Sequence, residues 1–344
     1  FELVQAVPRG ESRASIEIAE GANLTLKMGE DFLPAPWGPD SEEVRGRMVF
    51  AGYGITAPEL KYDDFARLDM KGKIAVVLSK FPGGTKQTTW DFYSQKDYDE
   101  PLEKAFNAQK AGAAGIIVIL PSNESIPTLS SLNFKSAKTS LASEVAGLHI
   151  PAVFVSYQTG EKLVLRSQSP EKTLQAWQDK IDSGLKPASL PLERTASIQT
   201  LYERKKLQGR NVIGIIPGSD ARLREECILI GAHHDHLGAG ENQEIYYGAD
   251  DDASGTTGLL ELAEAFQTGP LRPRRSIVLA AWGAEELGLL GSKHYALNPV
   301  FDLNKTVAMI QMDMIGRNEQ RPGDPADGQE EEKDENNTNT LSIA

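Results

Sequence analysis

The spacing of apolar residues changes near residue 195 and divides the chain into regions of different predicted structure. Residues 1–44 contain short alternating segments, such as ASIEIAE, which glycine and proline separate, and these predict strands and turns. Across residues 45–194, β-branched runs alternate with glycine and proline turns. From residue 195 on, strand-like runs alternate with helical ones, which is typical of βαβ units. The sequence therefore predicts an α/β fold with a mainly parallel, mixed sheet flanked by helices.

Helical periodicity is clearest in the run SGTTGLLELAEAFQTG. Four apolar residues at helical spacing predict a face that packs on the sheet, namely Leu259, Leu262, Ala263 and Phe266. Gly269, which Pro270 follows, predicts the end of this helix. A shorter helix is predicted around GLLGSKHYAL, and we expect its His294 to be exposed.

Polar residues follow the predicted strands of the third region at the points where the strands end. A histidine and an aspartate follow ILIGA, two glutamates follow the run SIVLAAW, and an aspartate closes AMIQMDM. These residues are His233, Asp235, Glu285, Glu286 and Asp313. Because ligands bind at the carboxyl ends of strands in open α/β sheets, we expect the side chains to converge there. A solvated polar turn is the alternative that the local sequence leaves open.

The chemistry of these side chains favours a divalent ion of the zinc class, because an imidazole fits poorly in an all-oxygen site for a hard cation. One zinc needs about three protein ligands. The chain offers more, so we expect two ions about 3.5–4 Å apart that share a carboxylate. Adjacent residues point in different directions, so one of Glu285 and Glu286 can bind metal while the other handles protons.

Three consecutive aspartates in GADDDASG, residues 248–255, precede the longer predicted helix. Negative charge is favourable at a helix amino terminus, and Ser254 is predicted to cap the helix. Capping explains one or two carboxylates, which leaves a third for another role. The sequence alone does not decide between capping and metal binding here.

The composition is that of an ordinary soluble protein, with 40% hydrophobic and 25% charged residues among 344, and it allows two domains. No apolar stretch reaches the roughly 18 residues that a membrane span needs. The net charge of −13 argues against nucleic acid as a partner. Residues 322–338 are predicted to form an acidic loop, with seven acidic residues and one lysine within 324–335. The single cysteine, Cys227, is predicted to be a buried structural thiol.

Four motifs, in this order and spacing, resemble the zinc-dependent aminopeptidase family that includes bacterial leucyl aminopeptidase and, more distantly, glutamate carboxypeptidase: GAHHDHLG, GADDDASG, AAWGAEELGLLGS and QMDMIGR. The segments VFAGYGITAPELKYDDFARLDMKGKIAVVL and AQKAGAAGIIVI are similar to the protease-associated (PA) domain inserted in such enzymes. The resemblance implies a phosphorylase/hydrolase-like zinc-peptidase fold. It assigns 1–44 to the amino-terminal part of the peptidase domain, 45–194 to the β-rich PA domain, and 195–344 to an incomplete catalytic domain.

The same resemblance implies a role for each motif residue. His233 and Asp313 are the ligands of one zinc, and Asp235 orients His233. Asp251 is the bridging carboxylate. Glu286 is a ligand of the other zinc, and Glu285 is the general base that deprotonates a bridging water, which attacks the scissile carbonyl. The implied activity is hydrolysis of peptide bonds, with removal of amino-terminal residues preferred because an acidic site is compatible with a free ammonium group.

One feature departs from the family pattern. The second zinc of the family takes a further histidine from near the end of the catalytic domain, and here no histidine follows His294. The expectation is therefore a chain truncated at both ends, with weak or single-site zinc binding that can leave it inactive. The remaining polar residues are expected to line the pocket, to lie in loops, or to support ligands and cap the helix: His234, His236, His149, Asp250 and Asp252.

Alternative functions stay open at this level. A glutamate carboxypeptidase-like enzyme fits the same motifs, and a receptor-like protein can keep the fold without catalysis. Glutaminyl cyclase, a related single-zinc acyltransferase, fits less well because of the paired aspartates and Ser-Gly in DDDASG. The resemblance and the start at Phe1 suggest an exported protein, periplasmic or secreted, that acts on peptides; the motifs specify neither the preferred side chain nor the oligomeric state.

Overall fold

The computed structural model describes residues 1–18, 23–83, 98–124, 126, 139–165, 171–240, 243–270 and 272–316. The predicted acidic loop at 322–338 lies outside the described residues. The chain forms two compact units. The amino-terminal unit comprises Glu2–Leu207, and the carboxy-terminal unit comprises Phe1 and the chain from Gln208 onward. The domain boundaries expected after residues 44 and 194 stay predictions.

The first thirteen strands come before or reach the boundary between the units. They are β1 (Glu2–Pro8), β2 (Arg13–Ile18), β3 (Leu24–Leu26), β4 (Phe32–Pro34), β5 (Val44–Ala51), β6 (Thr56–Ala57), β7 (Tyr62–Asp63), β8 (Ile74–Leu78), β9 (Gly115–Ile119), β10 (Thr139–Leu141), β11 (Ala152–Val155), β12 (Ser189–Gln199) and β13 (Tyr202–Gln208). The helices of this part are α1 (Pro101–Lys110), α2 (Ala142–Val145), α3 (Tyr157–Val164) and α4 (Leu174–Gly184), with a 3₁₀ turn at Pro58–Leu60.

An eight-stranded mixed sheet organises the amino-terminal unit, in the order β3-β2-β12-β5-β8-β9-β11-β4. The neighbours from β5 to β11 are parallel, and the outer pairs are antiparallel. All of β8 is buried, as expected for a central parallel strand that is covered on both faces. Its alternate residues belong to two apolar clusters, with Ile74, Val76 and Leu78 in one and Ala75 and Val77 in the other. Smaller sheets join β10-β1-β13 and β6-β7.

A buried polar network lies inside this amino-terminal unit. The carboxylate of Asp64 accepts the backbone N–H groups of Tyr53 and Ile55 and the hydroxyl of Tyr62. The ammonium group of the fully buried Lys104 donates to two backbone carbonyls, one of them that of Tyr53. Burial raises the pKa of Asp64 to about 7 and lowers that of Lys104 to about 7. Both charged forms are therefore costly in the folded state.

The carboxy-terminal unit contains β14 (Val212–Ile216), β15 (Cys227–His233), β16 (Gly238–Ala239), β17 (Ile245–Tyr246), β18 (Ser276–Trp282) and β19 (Thr306–Gln311). Its helices are α5 (Ala253–Thr268) and α6 (Leu290–Leu297), with 3₁₀ turns at Leu223–Glu225 and Leu303–Lys305. The sheet order is β14-β18-β15-β19. The strand β15 is parallel to both β18 and β19, whereas β14 is antiparallel to β18. This mixed, mainly parallel sheet confirms the predicted α/β fold class.

The apolar face of α5 packs on this sheet as the periodicity predicted. Leu259 is buried with Ile230 of β15 and Leu279 of β18. The other predicted residues of this face contact the same cluster, namely Leu262, Ala263 and Phe266. Gly269 follows the last helical residue, as predicted. Cys227 is fully buried, which confirms its predicted location in the core.

Two local predictions are wrong. The cap of α5 is Asp252, whose side chain accepts the N–H of Gly255, because Ser254 already lies inside the first helical turn. The ring of His294 is half-buried rather than exposed, because it stacks on the ring of Phe1 at a centroid distance of 5.0 Å. In contrast, His149 lies in an exposed loop as expected.

No helix within the described part of the chain is both long and apolar enough to span a membrane.

Candidate metal centre

Three side chains from separate elements meet at the carboxyl edge of the second sheet. His233 is the last residue of β15, Asp251 precedes α5, and Asp313 follows β19. The Nε2 atom of His233 lies 3.0 Å from Oδ1 of Asp251 and 3.7 Å from Oδ1 of Asp313. One ligand atom from each of the three residues lies within 4.8 Å of the other two. The structure thus brings together three of the predicted ligands.

These separations fit a zinc ion. Zinc–nitrogen and zinc–oxygen bonds of about 2.0–2.2 Å in a tetrahedral site place neighbouring donor atoms about 3.4 Å apart. The distances of 3.0 and 3.7 Å from His233 to its two carboxylate neighbours fall on either side of this value. One imidazole and two carboxylates are also a donor set that zinc accepts. These residues therefore fit the implied metal in chemistry and in spacing.

A second cluster shares Asp251 with the first. Nδ1 of His236 lies 3.8 Å from Oδ2 of Asp251 and 2.6 Å from Oε1 of Glu286. Asp251 therefore presents one oxygen to each cluster, as a bridging carboxylate would. We expected His236 only to line the pocket. The sole sequence signal for it was a third histidine close behind a strand end, and that signal did not separate it from His234.

The imidazole of His233 is oriented by backbone groups. Its Nδ1 lies 3.0 Å from the main-chain oxygen of Asp235, whereas the carboxylate of Asp235 is 4.0 Å away. If Nδ1–H donates to that carbonyl, the lone pair of Nε2 points to Asp251. The carboxylate of Asp235 instead accepts the backbone N–H of Glu285 at 3.1 Å. That Asp235 orients the imidazole of His233 stays a prediction. The group of Asp235 that would do so is its backbone carbonyl, which is closer to the ring than its carboxylate is.

The two neighbouring glutamates face different atoms. Oε2 of Glu285 lies 3.9 Å from Nε2 of His233, while Oε1 of Glu286 lies beside His236. Both side chains are half-buried. Burial raises the pKa of Glu285, the nearby His233 opposes this, and the charge of Glu286 adds to the rise. A carboxyl group with a raised pKa at such an edge is suited to proton transfer.

The carboxylates around His233 produce a field that attracts a cation. Burial lowers the pKa of the imidazole, but the negative charges of Glu285, Asp252 and Asp313 outweigh this, so the net pKa is raised. A site that stabilises a proton on Nε2 also stabilises a metal cation at the same position.

The outer two of the three aspartates connect the segments that carry the ligands. The buried carboxylate of Asp252 accepts the backbone N–H groups of His233 and Gly255, each at 2.9 Å, and that of Met314 at 3.3 Å. Oδ1 of Asp250 accepts the N–H of Gly316 at 2.9 Å. Both therefore support their neighbours, and Asp252 also caps α5, as the sequence allowed.

His234 does not join either cluster. Its Nε2 lies 3.1 Å from the main-chain oxygen of Arg210. This position agrees with the expectation that it is not a ligand.

Comparison with known proteins supports the resemblance. Residues 211–341 match peptidase family M28, and residues 44–163 match the PA domain. Aminopeptidase YwaD of Bacillus subtilis strain 168 is 26% identical over 268 residues, which cover 76% of this chain and 45% of that protein. A glutamate carboxypeptidase 2 homolog of Caenorhabditis elegans is 34% identical over 178 residues, which cover 49% of this chain and 22% of that protein. The two matched ranges thus agree with the resemblance of the motifs to a zinc-dependent peptidase and of the preceding segment to a PA domain.

A solved aminopeptidase from Aneurinibacillus sp. strain AM-1 is 24% identical, with a TM-score of 0.46, and the match covers 92% of this chain and 60% of that one. The chain spans less than half the length of the curated relatives named above.

Proposed function

We propose that this chain carries the metal centre of a zinc-dependent peptidase that hydrolyses peptide bonds, with removal of amino-terminal residues as the preferred activity. The observation that carries the proposal is the sharing of Asp251 by two clusters of ligand atoms at one sheet edge. The match of residues 211–341 to peptidase family M28 supports the reaction class.

The geometry supports the following assignment of the residues that would hold the metal. His233, Asp251 and Asp313 would bind one zinc, and Asp251 with Glu286 would bind a second. When bound, such ions polarise a carbonyl and lower the pKa of water. The binding of two zinc ions, rather than one, is part of the proposal.

The contacts of Glu285 support a role in proton transfer. Its Oε2 lies 3.9 Å from Nε2 of His233, which is farther than the 3.0 Å between that nitrogen and Oδ1 of Asp251. Its backbone N–H is fixed by the carboxylate of Asp235. Its raised pKa brings the group nearer to neutral pH, where it can accept a proton from the attacking water and donate it to the leaving amine. This general acid–base role for Glu285 is part of the proposal.

Whether residues are removed from the amino or the carboxyl end of a peptide depends on which terminal group of the peptide the acidic site binds. Carboxylates at this edge attract a free ammonium group, which favours an aminopeptidase. The similarity to a glutamate carboxypeptidase 2 homolog supports a carboxypeptidase as the second candidate. Peptides with free and with acetylated amino termini distinguish the two, because an aminopeptidase requires the free group.

The experiment uses the natural protein that contains this sequence. We would measure its zinc content and its hydrolysis of free and acetylated peptides, with and without a chelator. The proposal expects chelator-sensitive cleavage of free peptides. Equal cleavage of both peptides refutes the aminopeptidase preference, and bound zinc without any hydrolysis supports a receptor-like protein instead. Cell fractionation tests the exported location, which stays a prediction.

A further inference from the structure

One asparagine side chain connects the two ends of the loop that carries Glu285 and Glu286. Asn211 lies immediately before β14, beside the carboxyl end of β18. Its Oδ1 accepts the backbone N–H of Gly283 at 3.1 Å, and its Nδ2 donates to the backbone carbonyl of Gly291 at 2.8 Å. Gly283 is the first residue after β18, and Gly291 lies in the first turn of α6. The amide of Asn211 thus fixes both where the loop begins and where it ends.

The two ends of the loop approach each other too closely for a side chain to fit between them. A Cβ atom at residue 291 would lie 2.2 Å from the carbonyl oxygen of Gly283 and 2.5 Å from Oδ1 of Asn211. A Cβ atom at residue 283 would lie 2.3 Å from the carbonyl oxygen of Arg210. Glycine at both positions allows this close approach of the backbone. One short amide can therefore reach both ends of the loop at once.

Between these ends the backbone turns tightly around Glu285. Ala284 has φ +59°, in the left-handed region that residues with a Cβ atom rarely adopt. The carbonyl of Glu285 accepts the N–H groups of Gly288 and Leu289, each at 2.8 Å. The carboxylate of Asp235 accepts the N–H of Glu285 at 3.1 Å. A backbone of this kind persists only when the contacts around it hold it in place.

We propose that Asn211 is a positioning residue for Glu285. By fixing both ends of the loop, it keeps Oε2 of Glu285 3.9 Å from Nε2 of His233, at the metal centre. Both hydrogen bonds of its amide go to the backbone of the loop, so it acts through the loop and not through a ligand atom. The inference rests on the proposed function, because it concerns the same proton transfer. A displacement of about 1 Å at a reacting group can lower a rate about 100-fold.

The competing explanation is that Asn211 only stabilises the fold, by joining the end of β14 to the end of β18. Both explanations expect Asn211→Ala to lower the free energy of unfolding. They differ in whether the effect on kcat depends on Glu285. If Asn211 acts through Glu285, its loss matters little in the Glu285→Gln variant, because residues that act as a unit have non-additive effects. A role elsewhere in the fold lowers kcat by the same factor in both backgrounds.

The test uses the natural protein that contains this sequence, at saturating zinc and with the zinc content of each sample checked by elemental analysis. It measures kcat and KM for a free peptide in Asn211→Ala and Asn298→Ala, each made in the parent and in Glu285→Gln. Asn298 is the matched control, because its Nδ2 also donates to a backbone carbonyl, that of His294, but at the other end of α6.

We expect Asn211→Ala to lower kcat by about 10- to 100-fold in the parent, with little change in KM, and Asn298→Ala to change neither. In the Glu285→Gln background, Asn211→Ala should change kcat by no more than about twofold. Hydrogen exchange followed by mass spectrometry should show faster exchange within residues 283–291 of Asn211→Ala and parent-like exchange in β15.

The outcomes separate this inference from the proposed function. A parent that hydrolyses neither free nor acetylated peptides refutes the proposed function, and the positioning role with it. If the parent is active, an equal loss of kcat in both backgrounds refutes the inference alone. A parent-like kcat or parent-like exchange in Asn211→Ala does the same.

Thermal unfolding checks that each variant is folded. If Asn211→Ala is not, Asn211→Asp carries the test, because it keeps an oxygen that can accept the N–H of Gly283 but loses the donor to Gly291. We then expect a lower kcat that again depends on Glu285, with faster exchange at the end of the loop near Gly291. A parent-like kcat in Asn211→Asp refutes the inference.

Discussion

Nε2 of His233 lies 3.0 Å from Oδ1 of Asp251, which joins the end of one strand to the start of the helix that follows it. The contact is possible because α5 packs on β15 through Leu259 and so returns its amino terminus to the sheet edge. The packing of an apolar helix face thus sets the distance between two candidate ligands.

Replacing Glu285 with Gln is expected to lower turnover by about 100- to 10,000-fold, which is the usual contribution of a general acid–base group. Zinc content should not change, because the ligand atoms of both clusters come from other residues. Steady-state kinetics and elemental analysis of the same sample check both statements. Glu244→Gln, on an exposed loop, serves as the control. Turnover within a few-fold of the parent would remove Glu285 from this role.

Replacing Asp251 with Ala is expected to weaken both metal positions, because each cluster uses one of its oxygens. Asp313→Ala should weaken only one, since Asp313 belongs to the first cluster alone. Calorimetric titration of the metal-free proteins with zinc measures each position. Equal losses in the two variants would contradict a bridging role for Asp251.

Replacing Asp252 with Asn is expected to weaken zinc binding by about 10- to 100-fold, as is usual when a group that supports a ligand is changed. An amide NH₂ group cannot accept a hydrogen bond, so at least one of its backbone donors, such as the N–H of His233, loses its partner. We expect the free energy of unfolding to fall by about 1–3 kcal/mol.

Asp250→Asn is the matched control for that prediction. It removes the same charge on the other side of Asp251, but an amide oxygen can still accept the N–H of Gly316. Zinc titration and urea unfolding should both separate the two variants. If the two variants weaken zinc binding equally, Asp252 acts through its negative charge and not through the hydrogen bonds that hold the backbone of His233.

The buried Lys104 predicts a pH dependence of stability. Its pKa is lowered to about 7 in the folded unit, whereas an unfolded lysine holds its proton up to about pH 10.4. The unfolded state therefore binds more protons between these values, and the contribution of Lys104 to the free energy of unfolding rises with pH by about 1 kcal/mol per unit.

Lys104→Met should remove that contribution, and Lys110→Met, at an exposed position of the same helix α1, should keep it. Urea unfolding at several values between about pH 7 and pH 9, the lower part of this window, measures the slope. Parallel curves for the parent and Lys104→Met would show that Lys104 keeps its usual proton affinity when buried.

Local sequence patterns determined a large part of this protein. The apolar runs predicted β15 and β18, because a buried strand needs continuous apolar residues on both faces. The apolar run of β19 predicted a strand as well, but most of its residues are exposed in the structure. The spacing of Leu259, Leu262 and Phe266 predicted the packed face of α5. Since parallel strands end at one edge, the same patterns also indicated where His233 and Asp313 would meet.

The tertiary structure alone decided which atoms face each other. Hydrophobic periodicity does not specify that Nδ1 of His236 points to Glu286, or that the carbonyl of Asp235 rather than its carboxylate faces His233. The burial of Lys104 beside the backbone of Tyr53 likewise joins residues that are far apart in the chain. Such contacts depend on how the elements pack and on the rotamer of each side chain, and neither is encoded in the local spacing of apolar and polar residues.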